Sequence, residues 1–191
     1  MFSGLSKNET KRLAALALLR KHDKARDTAL GEFASLASDI MGVNSCFVTI
    51  FDDQYQYIKY VKNISQLPIK SAIPETMCQY AVASAEPVIC SDTRTDSRFA
   101  DHFLVTTGQA IFYAAAPLQT KDGFVLGTLC VSHTQPVTAT SAQIENFLRI
   151  AALASTYLEA WYSLGRVDGL TGLPNRQSLL KEIETLVLDN N

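Results

Sequence analysis

The sequence predicts an α+β fold: a mainly antiparallel sheet with the long helices gathered on one of its faces. Three observations carry that expectation. Apolar residues recur every three or four positions near both ends of the chain, they alternate every second position through the middle, and turn-forming residues join neighbouring strand patterns.

Leu13, Leu16 and Leu19, then Leu30, Phe33, Leu36, Ala37 and Ile40, keep helical spacing, so the first forty residues read as helix, broken near Asp23 to Asp27. From Ser45 the period becomes two, with Cys46, Val48 and Ile50 on one face and Phe47, Thr49 and Phe51 on the other. Asp52-Asp53-Gln54 turns the chain into YQYIKYVK, completing a hairpin. The breaker-rich NISQLPIKSAIP reads as a loop, and Pro74 is placed to open a short helix, PETMCQYAVASA, ahead of a strand PVICSD. SDTRTDSRFADHF alternates acids with bases; within it Asp96 is positioned to N-cap a short helix SRFADH. AIFYAAAPLQ and FVLGTLCVSH flank a KDG turn and make the strongest hairpin signal in the chain. Thr140 with Gln143 forms a capping box for a helix carrying Ile144, Phe147, Leu148, Ala151, Ala154, Leu158 and Trp161 on one face. Because the last two strands are apolar on both faces, residues 63–86 and 91–109 are expected to roof the face that the helices leave open, where a small-molecule pocket would form.

Composition bounds the function. A 191-residue chain with 47% hydrophobic content can bury a substantial core, and a net charge of -2 provides no basic footprint for nucleic acid. The apolar stretch from Leu13 to Leu19 is flanked by charges and too short to span a bilayer, so the expectation is a cytoplasmic chain that engages neither membrane nor nucleic acid. Cys46, Cys78, Cys90 and Cys130 form no CxxC pair and no zinc-like grouping with His22, His102 and His133. Cys46, Cys90 and Cys130 lie in apolar runs, where cysteine serves as a small buried hydrophobe.

KRLAAL, MCQYAVASAEPVICSDTRTDSRFADHFLV, IFYAAAPLQTKDGFVLGTLCV and the helix from Ser141 occur in an order that resembles a GAF domain over residues 10–164. DGLTGLPNR, at residues 168–176, resembles the opening of a GGDEF domain, the catalytic module of diguanylate cyclases. The resemblance implies three regions: an N-terminal helical segment (1–27), a GAF sensory domain (28–164), and a linker turn with the first helix of a GGDEF domain (165–191). It implies a sheet of about six strands, and a sensory role in cyclic di-GMP signalling. The catalytic GGDEF residues are not in this sequence, so no enzymatic activity is expected of the chain itself. Leu158, Trp161, Asp168, Asn175 and Arg176 would then relay the signal, and a homodimer through the N- and C-terminal helices would present paired output domains.

Met77, Cys78, Asp92, Arg98, Phe99, Phe112 and Tyr113 are the candidate pocket residues. Cys78, at the start of a short helix, is either a thiol made reactive by the helix N-terminus or an apolar group packed beneath the roof. Arg98 can fork to a carboxylate such as Asp92 or to a ligand's carboxylate or phosphate, and Phe99 can plug the roof. Tyr113 offers either its hydroxyl or only its ring. No cofactor is assigned: a thioether-linked tetrapyrrole wants a cysteine followed by histidine, whereas Cys78 is followed by Gln79 and Tyr80. A ligand-free dimerisation scaffold and a thiol-based redox sensor using Cys78 are the other functional readings.

Overall fold

The alternating segments form one antiparallel sheet, seen in a computed structural model that describes residues 16, 19–65 and 67–164, with side chains as far as Trp161. Its strands are β1 (Ser45–Phe51), β2 (Tyr55–Lys62), β3 (Lys70–Ala72), β4 (Val88–Cys90), β5 (Phe112–Gln119) and β6 (Val125–His133), in the order β3-β2-β1-β6-β5-β4. Central β1 is buried at every position, because both faces of the sheet are covered. Gly127 lets β6 approach β1: a Cβ there would stand 1.9 Å from the Thr49 carbonyl oxygen.

Among the described residues the helices α1 (Lys24–Met41), α2 (Gln79–Ser84), α3 (Phe103–Thr106) and α4 (Ser141–Leu164) flank the sheet. The Asp23 carboxylate caps α1 by accepting from the Arg26 backbone N–H at 2.8 Å, and Gly42 ends it at φ 69°. The helical break therefore precedes Lys24, slightly ahead of the expected Asp23 to Asp27. α1 packs on β1, β2 and β6, with Gly31 set directly against the Tyr60 ring. The capping box forms as read: the Thr140 N–H donates to Gln143 Oε1 at 2.9 Å, and the Gln143 N–H to Thr140 Oγ1 at 3.3 Å. Gln143 also reaches the Ile40 carbonyl, tying the start of α4 to the end of α1.

The opposite face carries the roof. Phe47, Phe51, Tyr113, Ala115 and Cys130 rise from the sheet to meet Met77, Cys78, Ala81, Phe99, Leu104 and Val105. The roof departs from expectation in three places. Lys70–Ala72, read as loop, is a short edge strand paired with Tyr55–Tyr57 of β2. The helix expected from Pro74 is split: Ile73–Glu75 is a single 3-10 turn, and α2 begins only at Gln79. Residues 97–101 form turns rather than the SRFADH helix; a 3-10 turn at Thr93–Thr95 precedes them and α3 follows.

The chain divides into two compact units, Met1–Ser155 and Thr156–Asn191. The described part of the second is the end of α4, which holds Leu158 and Trp161 three residues apart. Asp168, Asn175 and Arg176 lie outside the described residues. Among the described residues no helix is long and apolar enough to cross a membrane, and no three His, Cys, Asp or Glu gather as metal ligands.

Candidate functional site

Strands β1, β2 and β3 form the floor of a cavity whose walls are residues 67–68, 75–78 and 102–104. Met77 and Cys78 line it, joined by Phe47, Gln56, Ser71, Thr76 and His102. Its volume is about 20 Å³. That is room for about one water, against roughly 300–1,000 Å³ for a drug-sized ligand pocket. In this conformation the roof is therefore shut, and a cyclic nucleotide or tetrapyrrole would have to lift residues 75–78 or 102–104.

The remaining candidates do not line this cavity. Phe99 and Tyr113 are buried beside it with ring centroids 5.6 Å apart, and Phe99 meets Tyr80 edge-on at 5.3 Å. These rings fill the space where a larger pocket would lie. Phe112 precedes Tyr113 in β5, so strand alternation turns it to the helix-covered face, where it is fully buried; it is not a pocket residue. Asp92 and Arg98 do not pair with each other. Arg94 forks to Asp92 (Nη2 to Oδ2, 2.6 Å) and Arg98 to Asp96 (2.7 Å), because an arginine two residues after an aspartate curls back within one turn. Asp96 also accepts the Arg98 backbone N–H at 3.0 Å, and the Arg98 guanidinium holds its carboxyl down at about 2. These ion pairs fasten the turn and leave no fork for a ligand.

Three features of the cavity escaped the sequence reading. Gln56, buried in β2, has an Oε1 with no hydrogen-bond donor among the described residues. His102 bridges two roof segments: Nδ1 accepts the Leu104 N–H at 3.2 Å, capping α3, and Nε2–H donates to the Glu75 carbonyl at 3.0 Å. Burial lowers its pKa, with the Glu75 bond opposing. Thirdly, Cys78 contacts Cys130. The Tyr113 hydroxyl donates to the Cys78 sulfur at 3.2 Å, and the two sulfurs lie 3.6 Å apart. Burial by itself pushes the Cys78 thiol up, but hydrogen bonds from Cys130, Thr128 and Tyr113 bring it below its ordinary value. Burial and the Cys78 sulfur hold Cys130 well above its own.

Residues 25–158 match the family model described as GAF domain. Over 183 residues the chain is 28% identical to a cyclic di-GMP phosphodiesterase of Pseudomonas aeruginosa, an alignment covering 92% of this chain and 30% of that protein. The chain thus spans about 30% of the length of this curated relative. Among solved structures, the GAF domain of an Acinetobacter phosphoenolpyruvate-protein phosphotransferase superposes with a TM-score of 0.63 at 15% identity, covering 85% of this chain and all of that one. The GAF-B domain of DevS from Mycobacterium smegmatis gives 0.59 at 16% identity, covering 74% of this chain and 98% of that one. At such identities these structures speak for the fold alone. Six antiparallel strands under a roof, and a family model that spans most of the sequence, lead to one conclusion: this chain belongs to the GAF domain family.

Proposed function

We propose that the chain is the sensory domain of a protein that makes or breaks cyclic di-GMP, and that it passes its state to the output domain through α4. The observation that carries this reading is the match of 92% of the chain to part of a cyclic di-GMP phosphodiesterase. DGLTGLPNR, a few residues beyond α4, supports it, since it resembles the opening of a GGDEF domain. That resemblance favours a diguanylate cyclase output, while the relative is a phosphodiesterase; both act on the same messenger.

In this reading a small molecule opens the roof, presents a hydrogen-bond donor to Gln56 Oε1, and shifts the packing over β1 and β6. Leu158 and Trp161 on α4, followed by Asp168, Asn175 and Arg176, carry the change outward as a rotation between the helices of a homodimer. Helical phase tests the relay. In the full-length protein, one residue inserted between Tyr162 and Leu164 turns the following segment by about 100°, whereas seven nearly restore the phase. The single insertion is expected to change cyclic di-GMP turnover strongly and the seven-residue insertion to recover it. Equal turnover at every insertion length would rule out the relay.

The filled roof favours a second reading, a ligand-free dimerisation scaffold. Native mass spectrometry of the purified protein separates the two, since a retained small molecule is expected only in the first.

A further inference from the structure

Two cysteines 52 positions apart in sequence meet beneath the roof. Cys78 stands at the start of α2 and Cys130 in the middle of β6, with their sulfurs 3.6 Å apart. The Tyr113 hydroxyl touches both, at 3.2 Å and 3.6 Å. The run of polar atoms continues across the sheet: the Cys130 thiol donates to Thr128 Oγ1 at 3.2 Å, which lies 2.7 Å from Thr49 Oγ1. All of these side chains are buried, in a layer filled mostly by apolar groups.

The two thiols differ in access and in acidity. Cys78 lines the cavity, which borders exposed Pro68 and Phe103; Cys130 does not line it. Cys78 is also the more acidic of the pair, so the thiolate forms first where a small solute arrives. Cys46 lies outside this cluster, and Cys90, within it, turns its sulfur to the Asp96 carboxylate at 3.7 Å; burial pushes both thiols up.

We propose that Cys78 and Cys130 form a peroxide-responsive dithiol whose disulfide staples the roof to the sheet. The proposal goes beyond the helical relay and requires neither a bound ligand nor an output domain. The Cys78 thiolate attacks one oxygen of a hydroperoxide; the S–O bond forms as the O–O bond breaks, and the departing oxygen leaves as hydroxide, taking up the proton that Cys78 lost. The Cys130 sulfur then attacks the Cys78 sulfenic acid, forming the S–S bond and releasing the second oxygen as water. Two thiols are oxidised by two electrons in all, and hydrogen peroxide is reduced to two waters. A dithiol reductant reverses the reaction by exchange. Bonding brings the sulfurs to about 2.05 Å, roughly 1.5 Å closer than their present 3.6 Å. Met77 and Thr76, adjacent to Cys78 and lining the same cavity, move with it, so oxidation reshapes the cavity wall.

Peptide mapping of the 191-residue chain tests the proposal. The chain is treated with hydrogen peroxide, unfolded, alkylated and digested without reductant. The expected product is a Cys78 peptide joined to a Cys130 peptide, two hydrogens lighter than their sum, within a single chain on a denaturing gel, while Cys46 and Cys90 stay alkylated. Dithiothreitol should return all four thiols. In Cys130→Ser the reaction should stop at a dimedone-reactive Cys78, and in Cys78→Ser it should leave Cys130 reduced. The wild-type map decides the matter even if a variant fails to fold. The proposal is overturned if peroxide leaves both thiols alkylatable, if oxidation starts at Cys46 or Cys90, or if Cys78 overoxidises while Cys130 stays free.

Discussion

Beneath the roof, Gln56 Oε1 has no donor among the described residues. A buried acceptor without a donor costs about 1–3 kcal/mol, so Gln56→Met, similar in length and free of that demand, is expected to raise the urea midpoint. A lowered midpoint would show that the amide has a donor worth keeping. His102 adds a pH dependence. Its ring caps α3 only while Nδ1 is unprotonated, and its folded pKa lies below the ordinary 6.5. The unfolded chain therefore takes up the proton first as pH falls. The stabilisation is complete above 6.5 and is lost on the way down through the folded value. Stability measured from about pH 7.5 to pH 5 should fall more steeply in the wild type than in His102→Asn, which keeps a cap that does not titrate. Gly127 has no room for a side chain: in Gly127→Ala the new Cβ meets backbone, not a yielding side chain. The loss should exceed the ~1–3 kcal/mol of ordinary overpacking, read as a large fall in melting temperature or no soluble product. Neither Gln56 nor Gly127 was legible as special in the sequence, nor were the contacts that His102 makes. Gln56 looks like any polar residue of an alternating strand until β3 folds beside it, and the partners of His102 and Gly127 are distant in sequence.

Elements were far more legible, for reasons that vary with length. α1, α4 and the two long hairpins repeat their pattern over enough residues to declare a period, and Asp23, Gly42, Thr140 and Gly123 mark their ends. Thr140→Ala removes half of a reciprocal cap on α4 and should cost about 1 kcal/mol, seen as a shift in denaturation midpoint without a change in slope. The failures are all short. A three-residue strand such as β3 shows no period, and its pairing with Tyr55–Tyr57 is set by where the loop lands. In residues 92–98 the expected partner of Arg98 is Asp92, with a ligand's carboxylate or phosphate as the alternative. The backbone turns there are so tight that each arginine meets the nearest carboxylate first. Low pH should loosen this turn. The Asp96 carboxyl, at about 2, stays ionised below its ordinary 3.8, so its contribution is complete above 3.8 and lost as pH drops through about 2.

At the scale of the whole molecule, the proposed homodimer needs an apolar surface outside the core. Leu36 on α1 and Leu153 on α4 supply part of it, 49% and 59% exposed. Light scattering at roughly tens of micromolar should show a dimer, weakened by Leu36→Glu with Leu153→Glu; a monomer there would count against the proposal. The ends of the sheet are poorly suited to pairing with another chain. β3 and β4, its two outer strands, are three residues each; β3 carries Lys70, whose ammonium sits 3.6 Å from the Tyr55 ring centroid, and Pro87 immediately precedes β4. An incoming strand therefore finds only a few unpaired N–H and C=O groups, flanked by a charge on one side and by a residue without an N–H on the other. In the proposed homodimer the sheet edges are thus poor templates for fibrillar growth, and crowding such domains side by side does not invite them to knit into a continuous sheet.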